Sequence, residues 1–150
     1  MMGICSSSLE IEVTETAIMG RAKEVAAILK KVRQRGIAVS VDDFGTGYSS
    51  LAHLKQLPLD KIKIDRSFVR NIETDTDDAQ ITSTLIGLAK GIGLQCIAEG
   101  AETVEQVDLL IGYGCKQIQG YYFSRPIPAE ELVDSYLAGA TKRPKLAIAG

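Results

Sequence analysis

Scarcities in this sequence rule out several classes of protein before anything positive is read. Its three cysteines, Cys5, Cys96 and Cys115, are odd in number, widely spaced and outside any paired motif. Neither a disulfide framework nor a zinc site is supported, and a reducing cytoplasm is the simplest expectation. The single histidine, His53, falls on an expected short helix after Ser50 and reads as surface or packing. A net charge of −2 gives no electrostatic case for a nucleic-acid polymer as partner. No uninterrupted apolar run reaches membrane-spanning length: the run around Leu85 to Leu94 is broken by Lys90 and three glycines. Met1 to Ser8 lacks a basic stretch followed by an apolar one, so no secretion signal is read there. With 45% hydrophobic residues, 24% charged residues and four prolines, the 150 residues read as one ordinary globular domain. Residues 1–8 are expected to be a leader and 141–150 a loose, patternless tail.

What is present is an alternation of short apolar strands with amphipathic helices. Leu9 to Thr14 alternates, with Leu9, Ile11 and Val13 on one face and Glu10, Glu12 and Thr14 on the other. Further strands are expected at Ile37–Val41, Leu59–Asp65, Leu94–Ala98 and Cys115–Gln119. Helices are expected at Arg21–Arg35 (stripe Val25, Ile28, Leu29, Val32) and Asp77–Ile92 (stripe Ile81, Leu85, Leu88, Ile92). Two more are expected, at Thr103–Tyr113 and from Pro128 to about Leu137. Lys30, Lys31, Arg33 and Arg35 crowd a helix end before Gly36, where they complement the helix dipole and face solvent. Such alternation means an α/β fold with a parallel sheet and crossover helices.

The most informative stretch is Asp42-Asp43-Phe44-Gly45-Thr46-Gly47-Tyr48-Ser49-Ser50, where an apolar strand runs into two carboxylates and a glycine-rich turn. Adjacent ionised carboxylates repel, so one protonates or a cation neutralises them. The plainer reading is a solvated acidic turn. A dinucleotide-binding turn is loosely imitated by Gly45, Gly47 and Ser50, with Asp65 about twenty residues on. That reading lacks its third glycine, and Asp42 and Asp43 would face the pyrophosphate. Parity along the other strands argues for convergence. Glu12, Asp42, Lys63, Glu99 and Gln119 each fall near a strand's carboxyl end, on the face opposite the apolar positions. That rim is where parallel barrels and open sheets build active sites. Glu12, Asp42, Asp43 and Glu99 would be costly together with Lys63 as the one positive charge. Oxygen-only donors favour magnesium, manganese or calcium over zinc. A two-metal centre acting on a phosphodiester fits this set, because the ions clamp the phosphate and lower a bound water's pKa.

The segments Glu12-Val13-Thr14-Glu15, Asp42 to Ser49, Lys63-Ile64-Asp65-Arg66-Ser67-Phe68-Val69, Glu99-Gly100-Ala101-Glu102-Thr103 and Gln119-Gly120-Tyr121 resemble the EAL-domain family. Its members are cyclic-di-GMP phosphodiesterases with a modified TIM-barrel fold. The resemblance implies that Glu12, Asp42 and Asp43 bind the metals, two ions of magnesium or manganese. It implies catalytic roles for Lys63 beside the attacking water or scissile phosphate, for Glu99 in positioning or deprotonating that water, and for Gln119 in the same network. Glu15 would brace the loop of Phe44, Gly45, Thr46, Gly47, Tyr48 and Ser49, used for substrate binding and for dimer contact. Asp65, Glu102 and Tyr121 complete the implied loop and substrate-binding set, with Tyr121 to Pro126 lining the guanine rim. Ala101 replaces the family's usual valine.

The family's namesake Glu-Ala-Leu motif is absent, and no asparagine precedes Asn71. Against the eight strands of a complete barrel, about five are recognisable, so a partial TIM-type barrel lacking its first strands is expected. An edge at Leu9–Thr14, and another at Cys115–Gln119, would be open to a second copy or a complementing chain. Three functions follow: a metal-dependent hydrolase of cyclic di-GMP, weak or inactive in this chain alone; a non-catalytic module that binds the nucleotide; or a protein-interaction remnant.

Overall fold

The computed structural model describes residues 4–19, 21–46 and 54–136, apart from the side chains of residues 19 and 133–136. After a 3-10 turn at Ser6–Ser8, strands and helices alternate. They are β1 (Glu10–Thr14), α1 (Glu15–Met19), α2 (Ala22–Arg33), β2 (Ala38–Phe44), β3 (Lys61–Ile64), α3 (Arg66–Val69) and α4 (Thr76–Gly91). β4 (Gln95–Glu99), α5 (Val104–Gly112), β5 (Gln117–Gln119) and α6 (Ala129–Tyr136) follow. The strands form one parallel sheet in the order β1-β2-β3-β4-β5, so chain order is sheet order and β1 and β5 are its edges.

Local chemistry explains the helix starts. The Asp75 carboxylate accepts from the Asp77 and Asp78 amides at 2.8 and 3.2 Å and caps α4, with both acids in the positive first turn. Asp65 caps α3 by accepting from Ser67 N at 2.9 Å. Thr103 and Gln106 form a capping box at the head of α5.

Register assigns the faces. Val13 pairs with Val41, Val41 with Ile62 and Ile62 with Cys96. Val39, Val41, Ile62, Ile64 and Ala98 on this face are fully buried, and Leu29 of α2 and Ile86 and Ala89 of α4 join the cores over them. Side chains one position away, Glu12, Ser40, Asp42, Lys61, Lys63 and Glu99, stand on the opposite face.

Four expectations change in the structure. β2 continues through the acids to Phe44, because Phe44 pairs with Ile64 and buries its ring; the pairing shifts register between Val41 and Phe44. β5 starts at Gln117, since Cys115 is 2% exposed in the core and its amide bonds Leu110 O at 3.0 Å to close α5. On α4, Leu85, Leu88 and Ile92 of the expected stripe pack partly buried against the core, but the fully buried positions are Thr82, Ile86 and Ala89, and Ile81 is exposed. Thr82 Oγ1 donates to Phe68 O at 3.1 Å and sets that rotation. Ile28 of the α2 stripe is likewise exposed. The helix proposed after Ser50 and the 141–150 tail lie outside the described residues, except Leu54, which is buried.

The basic end of α2 is more than a solvated face. Arg33 Nη2 pairs with Asp60 Oδ1 at 2.6 Å, and Asp60 Oδ2 accepts from the Val39 amide at 2.9 Å. One carboxylate thereby ties α2, the start of β2 and the approach to β3. Asp60→Ala should cost about 2 kcal/mol by stranding the buried amide of Val39. Asp60→Asn, which keeps one acceptor, should cost about half as much; urea denaturation of both variants checks the order.

Candidate active site

The polar face carries two tiers of charge. In the lower tier Lys61 Nζ pairs with Glu10 Oε2 at 2.5 Å. Burial opposes the Glu10 charge, and the Lys61 ammonium overrides it, holding the carboxyl below its ordinary value. In the upper tier, at the carboxyl ends, Lys63 Nζ lies 2.8 Å from Glu12 Oε1, 3.0 Å from Asp42 Oδ1 and 2.9 Å from Glu99 Oε1. Three strands thus deliver carboxylates to the ammonium of a fourth. Burial works against the Lys63 charge, but the Glu12, Glu99 and Asp42 carboxylates together outweigh it and raise its pKa well above the ordinary lysine value. Lys63 is therefore a fixed cation at neutral pH and cannot serve as a base.

The sequence-derived residues separate into three groups. Glu12, Asp42, Lys63 and Glu99 come together. Gln119 pairs in register with Glu99 on the neighbouring strand, and the Ala101 amide donates to Gln119 O at 3.2 Å. Asp43 does not join them: it is exposed, has a φ of 53° at the β2 irregularity, and makes no ion pair among the described residues. Its carbonyl accepts from Thr46 N at 3.3 Å and Thr46 Oγ1 at 2.8 Å, which folds the glycine turn back on itself. Glu15 is 3% exposed, and its Oε2 accepts from the Gly45 amide at 3.1 Å, which ties α1 to that turn.

Among the remaining loop residues, Phe44 is buried in the core. Asp65 serves as the α3 cap, and Glu102 is exposed. Tyr121 is 51% exposed, with the Arg125 guanidinium 4.6 Å above its ring. Gly47, Tyr48 and Ser49 lie outside the described residues. Sequence reading missed the Glu10–Lys61 pair, although both residues share the parity of the site residues. It also missed Gln106, whose one visible sign is its place in a capping box.

Donor chemistry suits a hard divalent cation. The candidate donor atoms are all carboxylate oxygens, and Asp42 Oδ1 is buried with its ion-pair contact but no hydrogen bond. Among the described residues, no cluster of three His, Cys, Asp or Glu side chains is arranged to enclose an ion, and Lys63 stands where the three carboxylates meet.

Five parallel strands with helices on one face and a charged rim at their carboxyl ends define part of a TIM-type barrel, of the kind that carries its chemistry on that rim. The chain belongs to the EAL domain family, whose model matches residues 2–126. It is 43% identical over 137 residues to the cyclic di-GMP phosphodiesterase NbdA of Pseudomonas aeruginosa, covering 89% of this chain and 18% of NbdA. Its fold matches the MucR phosphodiesterase of the same organism, solved as a c-di-GMP complex, with a TM-score of 0.83 at 43% identity. That match covers 86% of this chain and 52% of the MucR chain. Klebsiella pneumoniae BlrP1, solved with manganese and cyclic di-GMP, matches with a TM-score of 0.76 at 35% identity over 83% of this chain and 32% of that chain. No helix among the described residues is long and apolar enough to cross a membrane.

Proposed function

We propose that this chain supplies the Glu12–Asp42–Lys63–Glu99 rim of an EAL-type site that hydrolyses one phosphodiester bond of cyclic di-GMP to the linear dinucleotide. The observation that carries the reading is the meeting of four strand ends at Lys63. Three carboxylates against one ammonium leave the cluster with two negative charges in excess, which repels an anionic phosphodiester unless further cations are present. Magnesium or manganese, held by Glu12, Asp42 and Asp43, would supply that charge and acidify a bound water. Lys63, held protonated, offers its ammonium to a phosphoryl oxygen. Glu99, 2.9 Å from it, is the base for the attacking water, and Gln119 on the adjacent strand holds that water by a hydrogen bond. The whole-domain activity of the relatives is carried by longer chains, so turnover by these 150 residues alone should be slow.

The test is to incubate the purified chain with manganese or magnesium and cyclic di-GMP and to follow the linear dinucleotide. Turnover well below roughly one per second, abolished by Glu99→Gln, is expected. Ordinary enzyme rates would overturn the expectation of a weak site. A second reading, a non-catalytic module for nucleotide or protein binding, is favoured by the exclusion of Asp43 from the ion-pair cluster. Saturable calorimetric heat with no product would select nucleotide binding, and neither heat nor product would leave the protein-interaction reading.

A further inference from the structure

Gln106 is 5% exposed and spends its side chain on more than its own helix. Its Oε1 accepts from the Glu102 and Thr103 amides at 2.7 and 3.2 Å, the usual work of a capping box. Its Nε2 reaches outside that motif and donates to Arg70 O, at the end of α3, at 3.1 Å. The two segments joined in this way are those that leave the site: α3 follows Lys63 through Ile64 and Asp65, and the loop of residues 100–103 follows Glu99. The same segments already touch at their near ends, where a Cβ on Gly100 would lie 2.5 Å from Arg66 Cβ. One contact of this kind sets closeness and leaves the loop free to pivot. A second anchor, about one helical turn along α3, removes the pivot.

We infer that Gln106 is a positioning residue that fixes the Glu99 strand end against Lys63 by tying the loop after β4 to the carboxyl end of α3. This rests on the phosphodiesterase reading only for its catalytic meaning; the geometry stands on the contacts above. The loop also holds the third site strand, since Ala101 exchanges backbone bonds with Gln119 (3.2 Å) and Tyr122 (3.0 Å). Displacing it therefore moves Glu99 and Gln119 together.

The test is a double-mutant cycle between Lys63→Met and Glu99→Gln, read from urea unfolding of the whole chain without nucleotide or metal. The parent is expected to show a Lys63–Glu99 coupling of about tenfold in the unfolding constant. Gln106→Met should reduce it to about twofold or less. Thr103→Val removes the hydroxyl cap that accepts from Gln106 N (3.1 Å) and leaves the tether; it should lower stability yet keep the coupling. A purely structural role would show the same coupling in both backgrounds and would overturn the inference, as would the absence of coupling in the parent. If Gln106→Met does not fold, Gln106→Glu keeps the acceptor for the two amides and sets an oxygen against Arg70 O, with the same loss of coupling expected. Because no substrate enters, failure here is distinguishable from failure of the phosphodiesterase reading.

Discussion

Lys63→Met should lower stability by about 3 kcal/mol at neutral pH, the lower end of the range for removing one partner of a buried ion pair. The low end applies because the side chains of Glu12, Asp42 and Glu99 are 49%, 25% and 20% exposed, and water screens part of their repulsion. Methionine keeps the apolar stem, so the loss reports charge. For a chain of this size the melting temperature should fall by about 10 °C. The pH dependence follows from the direction of the shift. Lys63 has a folded pKa raised above its ordinary value of 10.5. Its contribution is fully present below that ordinary value and is lost as pH rises through the folded one. The gap between parent and variant should therefore hold through neutral pH and narrow in the alkaline range. Adding Glu12→Gln to the variant removes one repelling charge and should restore part of the loss. Equal urea midpoints for parent and Lys63→Met at pH 7 would show that the cluster contributes nothing.

Gly120→Ala should cost a similar amount for a different reason. A Cβ there would lie 2.1 Å from Ala101 O and 2.4 Å from Ala101 N. These are backbone atoms, with no flexible side chain to move aside. Relief requires breaking the Ala101–Gln119 or Tyr122–Ala101 backbone bond, at about 1 kcal/mol each, on top of the overpacking strain. A total of about 3 kcal/mol is expected, together with displacement of Gln119 from Glu99. Gly87→Ala is the matched control: it lies inside α4 with nothing within 4 Å of an added Cβ, and should gain about 0.5–1 kcal/mol. Denaturant midpoints falling for one and rising for the other are the expected result; an unchanged Gly120→Ala midpoint would refute the close approach.

The contrast between Lys63 and Asp43 shows where sequence reading succeeds. Alternation is local, so Lys61 and Lys63 could be set against Ile62 and Ile64 from four consecutive residues, and the face of the sheet followed. Glu12, Asp42 and Glu99 have the same origin. Asp43 stands beside Asp42 in the chain but outside the ion-pair cluster around Lys63. Its positive φ arises where β2 shifts register so that Phe44 can pair with Ile64, and no local pattern reports a pairing twenty residues away. On α4 the periodicity gave Leu85, Leu88 and Ile92, which pack against the core, but not the fully buried Thr82, because its bond to Phe68 O is a tertiary contact. Gln106 is legible as a cap because the capping box is local; its bond to Arg70, 36 residues distant, is not. Family motifs added what parity could not: cyclic di-GMP as the expected phosphodiester and a proposed role for each acid.

In the proposed function, residues distant in the chain form one metal-binding, substrate-facing rim at the carboxyl ends of the strands. Paramagnetic broadening by manganese in the amide spectrum of the isotope-labelled chain tests it most directly. Amides near Glu12, Asp42, Lys63 and Glu99 should broaden together at low manganese, while Ala38 and Gln95, at the other ends of β2 and β4, stay sharp. Asp42→Asn should abolish the effect. Broadening centred instead on the exposed acids of the α4 cap, Asp75 and Asp77, or none at all, would contradict the account.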